Sequence, residues 1–278
     1  MEVYYQVQAG ALVRESETVF DQLVKITQYQ YRAGRGTQQD VIRARLELDL
    51  LKDREVELKQ KQEQALAELN RWLGEIEEDV EPSMMFPSLP AVPPREKLKR
   101  SIEFHPAVAV AKAKLGSARK GVAIARSRYK PSWSVDVSYG ARFEGRADFV
   151  SAMVMMDLPF FTEKRQDKML NARGHEVNAA RDDVDEVRRE LRRMLDNEWA
   201  KWQRLGERLD FYKNDVLPEA SQFSETSRKA YQSGVSDFSE LVRARLRELQ
   251  TRMGALKLRV ERAKSHYRLL YLAGEAAS

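Results

Sequence analysis

The spacing of apolar residues changes along the chain, and each change marks an element. From about 3 to 32 the pattern is helix-compatible, and it stops at Ala33-Gly34-Arg35-Gly36-Thr37. Two glycines there favour a tight reversal, and Thr37 or Asp40 can cap the next helix. That helix is expected from about 38 to 78. Its apolar residues keep a seven-residue spacing through Val41, Ala44, Leu48, Leu51, Leu58, Ala65, Leu69 and Trp72, interrupted by Glu55 and Gln62. Such a stripe predicts coiled-coil core rather than a cofactor box. Between 81 and 95 stand Pro82, Pro87, Pro90, Pro93 and Pro94, with Met84, Met85 and Phe86 among them. That density excludes helix and central strand and predicts a surface connector. An alanine-rich helix follows from about 106 to 128, where small faces allow close helix approach.

At Pro131 the period drops to two. Trp133, Val135, Val137 and Tyr139 alternate with Ser132, Ser134, Asp136 and Ser138. After a polar loop at about 140 to 148, Val150, Ala152, Val154, Met156 and Leu158 form one face of a second run that Pro159 closes. A soluble hairpin packed on helices would alternate in the same way. Both runs are nevertheless about ten residues, long enough to cross a bilayer when tilted. Trp133, Tyr139, Phe149, Phe160 and Phe161 sit near the strand ends, as in barrel girdles. Met153 and Met155 share the face opposite Met156, so the three do not make a thioether metal site and read as apolar filler.

From about 162 the helical period returns, with Val177, Ala180, Val184, Val187, Leu191 and Met194 in heptad spacing. Trp199, Trp202, Leu205 and Leu209 follow after a phase shift. Continued through Pro218, a helix of roughly 65 residues would be about 100 Å long. The segment from Tyr31 to Leu46 then recurs from Tyr231 to Leu246 at an offset of 200 without a gap. Tyr, Gly, Arg, Ala, Arg and Leu recur at matched places, so the chain is built from two copies of one unit. This divides it into a helical hairpin of an incomplete first repeat (1–80), a Pro-rich connector (81–104) and a second repeat (105–278) containing a β-hairpin at 132–159. By that symmetry a further helix and strand hairpin, about 100 residues, are expected before Met1.

Composition narrows the function classes. Charged residues make up 33% and mean hydropathy is -0.60, a balance suited to long amphipathic helices. The net charge of +5 would permit nucleic-acid binding, but runs such as Lys52-Asp53-Arg54-Glu55 alternate in sign, which is a mixed solvated face. No apolar run approaches the ~20 residues of a membrane helix, and residue 1 does not open a signal-peptide pattern. There is no cysteine, and His105, His175 and His266 are far apart, so no metal site or cofactor is expected. His105-Pro106 reads as a helix start, and the Glu77-Glu78 pair as solvated charge. Without a nucleophile and base, a phosphate loop or a metal motif, an enzyme is the weakest reading. A soluble coiled-coil scaffold or membrane-surface binding protein explains the helices and basic charge but neither the repeat nor the alternating strands.

These residues resemble the outer-membrane efflux proteins, the TolC family. The likeness rests on the paired Tyr-x-x-Gly turns with Asp40 and Glu240, on Arg126-Ser127-Arg128-Tyr129-Lys130-Pro131-Ser132-Trp133 entering the first strand, and on Met156-Asp157-Leu158-Pro159-Phe160-Phe161 leaving the second. Tyr31 to Leu48 and Asp157 to Asp167 look most like its heavy-metal cation branch. The resemblance implies a mainly α fold with one β-hairpin: long antiparallel coiled-coil helices of an α-barrel plus two transmembrane β-barrel strands, in a two-fold internal repeat. It implies a homotrimer in the outer membrane and periplasm, each complete protomer giving four strands to a twelve-stranded barrel, so that two strands alone should not complete it. It also implies a passive duct for metal cations or small toxic compounds, joined by a periplasmic membrane-fusion adaptor to an inner-membrane pump that sets selectivity. Carried over by position, Tyr31, Gly34, Arg35, Gly36, Thr37, Tyr231, Gly234, Val235 and Ser236 are adaptor-docking tips, although plain helix caps would also need the glycines. Glu240 and Arg243 are gate candidates: the second place of the family's carboxylate pair is arginine here, which leaves an ion pair as the alternative latch. Trp133, Val135, Val137, Tyr139, Val150, Val154, Met156 and Leu158 would face outer-membrane lipid.

Overall fold

The computed structural model describes residues 1–74, 85–142, 145 and 147–274. Two long helices, α1 (Glu2–Arg32) and α2 (Gln38–Leu73), form the first hairpin. Pro82, Met84 and the Glu77-Glu78 pair lie outside the described residues. Next come a short helix α3 (Arg95–Ser101), a 3-10 turn (Ile102–Phe104) and α4 (Pro106–Ser127). The strands are β1 (Ser132–Gly140) and β2 (Phe149–Asp157). Helix α5 (Thr162–Phe211) runs through a π-helical turn (Tyr212–Val216) into α6 (Leu217–Gln232), and α7 (Phe238–Leu272) returns. The proline-dense run at 81–95 ends where α3 begins, at Arg95, inside the segment 81–104 expected as connector. Pro94 is the N-cap of α3, its ring holding φ at -55° while ψ of 143° keeps it outside the helix that begins at Arg95.

The packing forms two compact bodies that cut across the sequence repeats. One joins Met1–Pro93 with Asp196–Leu270, and the other joins Pro94–Leu195 with Tyr271–Ser278. In the first, Ala9, Val13, Phe20, Leu23 and Val24 of α1 share a cluster with Ala44, Leu51 and Leu58 of α2 and with Phe238, Leu241, Val242, Leu249 and Met253 of α7. The seven-residue stripe of α2 is buried as far as Leu58, whereas Leu69 and Trp72 are exposed at 40% and 75%. Glu55, which interrupts the stripe, turns partly inward and meets Arg14 at 3.4 Å. Phe86 of the connector packs edge-on against Tyr4, with the Arg259 guanidinium 4.0 Å from its ring centre.

In the second body the stripe of α5 passes from Leu191 to Leu195, and Met194 is 40% exposed. That step from spacing three to four is the phase shift the sequence showed. His105 caps α4, its Nδ1 accepting the Ala107 N–H at 3.2 Å, and Pro106 occupies the first helical position. Glu103 bridges Arg188 at 3.0 Å and Lys112 at 3.4 Å, tying the 3-10 turn to α5 and α4.

Candidate functional site

Two sets of residues carry the functional expectations. The first is the hairpin. β1 and β2 pair antiparallel with Ser132 opposite Asp157 and Gly140 opposite Phe149. Trp133, Val135, Val137 and Tyr139 then face Met156, Val154, Ala152 and Val150 across the ladder, so one surface is wholly apolar apart from the Tyr139 hydroxyl. Leu158 continues that side just past β2. The opposite surface carries Ser132, Ser134, Asp136 and Ser138 with Met155, Met153 and Ser151. All residues of both strands are exposed except Gly140, and Val135, Val137 and Val154 are 68, 69 and 64% exposed. An apolar sheet face of this kind left bare in water would be a strong aggregation hazard. Trp133, Phe160 and Phe161 stand at one end of the ladder, and Tyr139 and Phe149 at the other. Tyr129 donates to Asp167 at the base, joining the end of α4 to the start of α5.

The second set is the pair of turns. In each, the helix ends in the same cap: Gly34 N–H bonds to Tyr31 O and Arg35 N–H to Gln30 O at 3.0 and 2.9 Å, and Gly234 N–H bonds to Tyr231 O and Val235 N–H to Ala230 O at 3.1 and 2.9 Å. Gly34 and Gly234 have φ of 71° and 74°, a region glycine enters without steric cost. Gly36 has a different reason: an added Cβ would meet Gln30 Cβ at 3.1 Å. Thr37 caps α2 in a reciprocal box with Asp40, and Asp237 Oδ1 accepts the Glu240 N–H at 2.8 Å.

The first body brings the two turns together, although the tyrosines divide. Tyr231 is half-buried against Phe238, with ring centres 5.7 Å apart, and its hydroxyl donates to Gln30 of the other turn. Burial, with the charge of Asp40 nearby, pushes its phenol above the usual tyrosine range. Tyr31 is 49% exposed, as position 38 is glutamine where position 238 is phenylalanine. Arg43 donates to Ser239 across the same junction. Gln30, Arg43, Phe238 and Ser239 were not singled out from sequence; only the mismatch of Gln38 with Phe238 in the repeat could have pointed to them. Arg35 and Val235 occupy matching apexes, and Val235 is 82% exposed. Glu240 and Arg243 pair with each other one turn apart on α7, an exposed contact of small energy. No group of three or more His, Cys, Asp or Glu able to hold a metal occurs among the described residues.

Residues 98–275 match the family model described as outer membrane efflux protein. A membrane protein from Pseudomonas aeruginosa superposes with a TM-score of 0.86 at 17% identity, covering 100% of this chain and 65% of that one. The outer membrane protein VceC from Vibrio cholerae gives 0.84 at 16%, covering 98% and 67%. The CmeC outer membrane channel of Campylobacter jejuni gives 0.85 at 14%, covering 99% and 60%. At such identities the likeness is one of fold. The chain spans 65% of the first of these structures. No curated protein matches the chain in sequence.

Proposed function

This chain belongs to the outer membrane efflux protein family, and from that premise we propose that it forms part of the passive export duct of a tripartite system, carrying metal cations or small toxic compounds. The family consists of channels rather than enzymes and works at the Gram-negative outer membrane and periplasm. The observation that carries the reading is the hairpin with one continuous apolar face that no helix covers among the described residues. Lipid is the environment that makes such a face stable. The polar face, with Asp136 and the serines, then lines an aqueous lumen. The paired turns serve as the periplasmic tips where an adaptor docks, with Arg35 and Val235 at their apexes, and the chain assembles as a trimer in which its two strands form part of the barrel wall. An inner-membrane pump, reached through the adaptor, chooses the cargo.

A variant keeping Trp133 as its only tryptophan tests the membrane assignment. Reconstituted in vesicles of brominated phospholipid, its fluorescence is expected to be strongly quenched, and emission unchanged from ordinary lipid would overturn the duct reading. Growth of a strain deprived of this protein on metal salts and on lipophilic dyes separates the two cargo classes.

A further inference from the structure

Charge is unevenly matched along the chain. Farther along α5, arginines meet acids three residues away: Arg189 with Glu186 at 2.7 Å, Arg193 with Glu190 at 2.6 Å and Arg204 with Glu207 at 2.6 Å. Next to the hairpin this matching stops. From Pro106 to Pro131 there are seven Lys or Arg and no Asp or Glu, and among the described residues only Lys112 of the seven has an ion pair, with Glu103 at 3.4 Å. The same holds where β2 leads into α5. Lys164, Arg165 and Lys168 fall in the first two turns of that helix, where the positive end of the helix dipole opposes them. The nearby acids do not answer them. Asp167 accepts from Tyr129, Asp157 accepts from Ser132 at 3.4 Å, and Glu163 meets no cation among the described residues.

Arg126, Arg128, Lys130, Lys164, Arg165 and Lys168 are all exposed. They flank the end of the ladder that carries Trp133, Phe160 and Phe161, themselves 68, 70 and 88% exposed. Aromatic rings with basic groups just beyond them suit the border between acyl chains and headgroups. Arg126 also opens, with Arg119 and His175, on a cleft of about 530 Å³ between α4 and α5. The basic surface therefore has depth for a headgroup and is not a flat charged rim.

We propose that this collar binds the headgroup phosphate of anionic phospholipid, of the phosphatidylglycerol type, in the leaflet at the base of the hairpin. The inference rests on the duct reading, which puts the apolar face in lipid and this end of the ladder at the lipid surface. Cations left unmatched by the chain then meet phosphate there. A zwitterionic headgroup carries no net charge, so the collar selects among the lipids around it.

The variant with Trp133 as its only tryptophan reports which lipid lies beside the collar. It is reconstituted in mixed phosphatidylcholine and phosphatidylglycerol vesicles, with bromine carried on one lipid or the other. Quenching against mole fraction gives the relative binding constant, expected, with one basic group engaged per lipid, to favour phosphatidylglycerol about fivefold. R126Q/R128Q/K130Q should abolish the preference, and K164Q/R165Q/K168Q repeats the test from the other helix. Quenching by brominated phosphatidylcholine shows that each variant still inserts. R189Q/R193Q/R204Q removes the same charge from matched sites and should keep the preference. Equal quenching by the two lipids before any collar substitution would overturn the collar and leave the duct reading standing. So would a preference that survives both collar variants, or one lost equally in R189Q/R193Q/R204Q, which would assign it to net charge. Inorganic phosphate that abolishes the preference at constant ionic strength would assign the site to a free anion and overturn the lipid. No quenching by either lipid would overturn the duct reading and the collar with it.

Discussion

His105 shows how one side chain can couple a helix end to pH. It is 2% exposed, packs edge-on to Tyr271 with ring centres 5.3 Å apart, and spends Nδ1 as the cap of α4. Burial holds its pKa below the ordinary histidine value, and the positive end of α4 opposes protonation as well. The folded value lies below the unfolded one, so the stabilisation is complete above about pH 6.5 and is lost as pH falls from there through the depressed value. The melting temperature should therefore fall between about pH 7.5 and about pH 5.5. It should fall less in His105→Asn, which keeps a capping acceptor; equal losses in both would show that His105 is not the titrating group. His266, also depressed by burial and beside Arg262, supplies the remaining slope. The dipeptide His105-Pro106 announced a helix start in the sequence. Its burial was not legible there, because Tyr271 arrives from far along the chain.

At the scale of elements, the hairpin and the long helix behaved differently. Alternation in β1 and β2 translated directly into faces, since the period of a strand is two whatever surrounds it. The lipid assignment makes a quantitative prediction on that basis. Val137→Arg, near the middle of the ladder on the apolar face, should cost about 2–4 kcal/mol of folding free energy in bilayers. Ser134→Arg on the polar face should cost close to nothing. Equilibrium denaturation from liposomes measures both, and equal costs would remove the distinction between faces. The sequence leaves open whether the helix continues through Pro218, and it does so by opening a π turn at Tyr212–Val216 just before it. Proline lacks an N–H and crowds the carbonyl four residues back, and the wider turn accommodates both. Nothing in the local pattern announced that solution. Gly254 of α7 lies beside Tyr212, and a Cβ there would be 3.4 Å from the ring.

For the whole molecule, burial separates residues that the heptad stripe had grouped together. Phe20 is 1% exposed in the cluster joining α1, α2 and α7, and Trp72, at the end of the α2 stripe, is 75% exposed. Phe20→Ala should destabilise the first body by about 3–5 kcal/mol. Trp72→Ala should stay within about 0.5 kcal/mol. Chemical denaturation of the two variants gives the comparison, and a large loss for Trp72→Ala in isolated chains would mean that α2 is packed along its full length. The Arg252–Glu15 pair is partly exposed and contributes little to this balance, and its importance lies in orientation.

The sequence by itself determined the helices, the two strands and their faces, the repeat and the glycine turns. Each of these follows from local periodicity or from a backbone angle that few residues adopt. It also carried the family resemblance, because that rests on short runs of residues. Only the tertiary structure decided that residues 1–93 pack with 196–270, that Tyr231 turns inward while Tyr31 stays exposed, and that Ile42 and Leu46 remain bare where Val242 and Leu246 are covered. Periodicity states which side of an element is apolar. What that side meets depends on neighbours hundreds of residues away, and a local pattern contains no information about them.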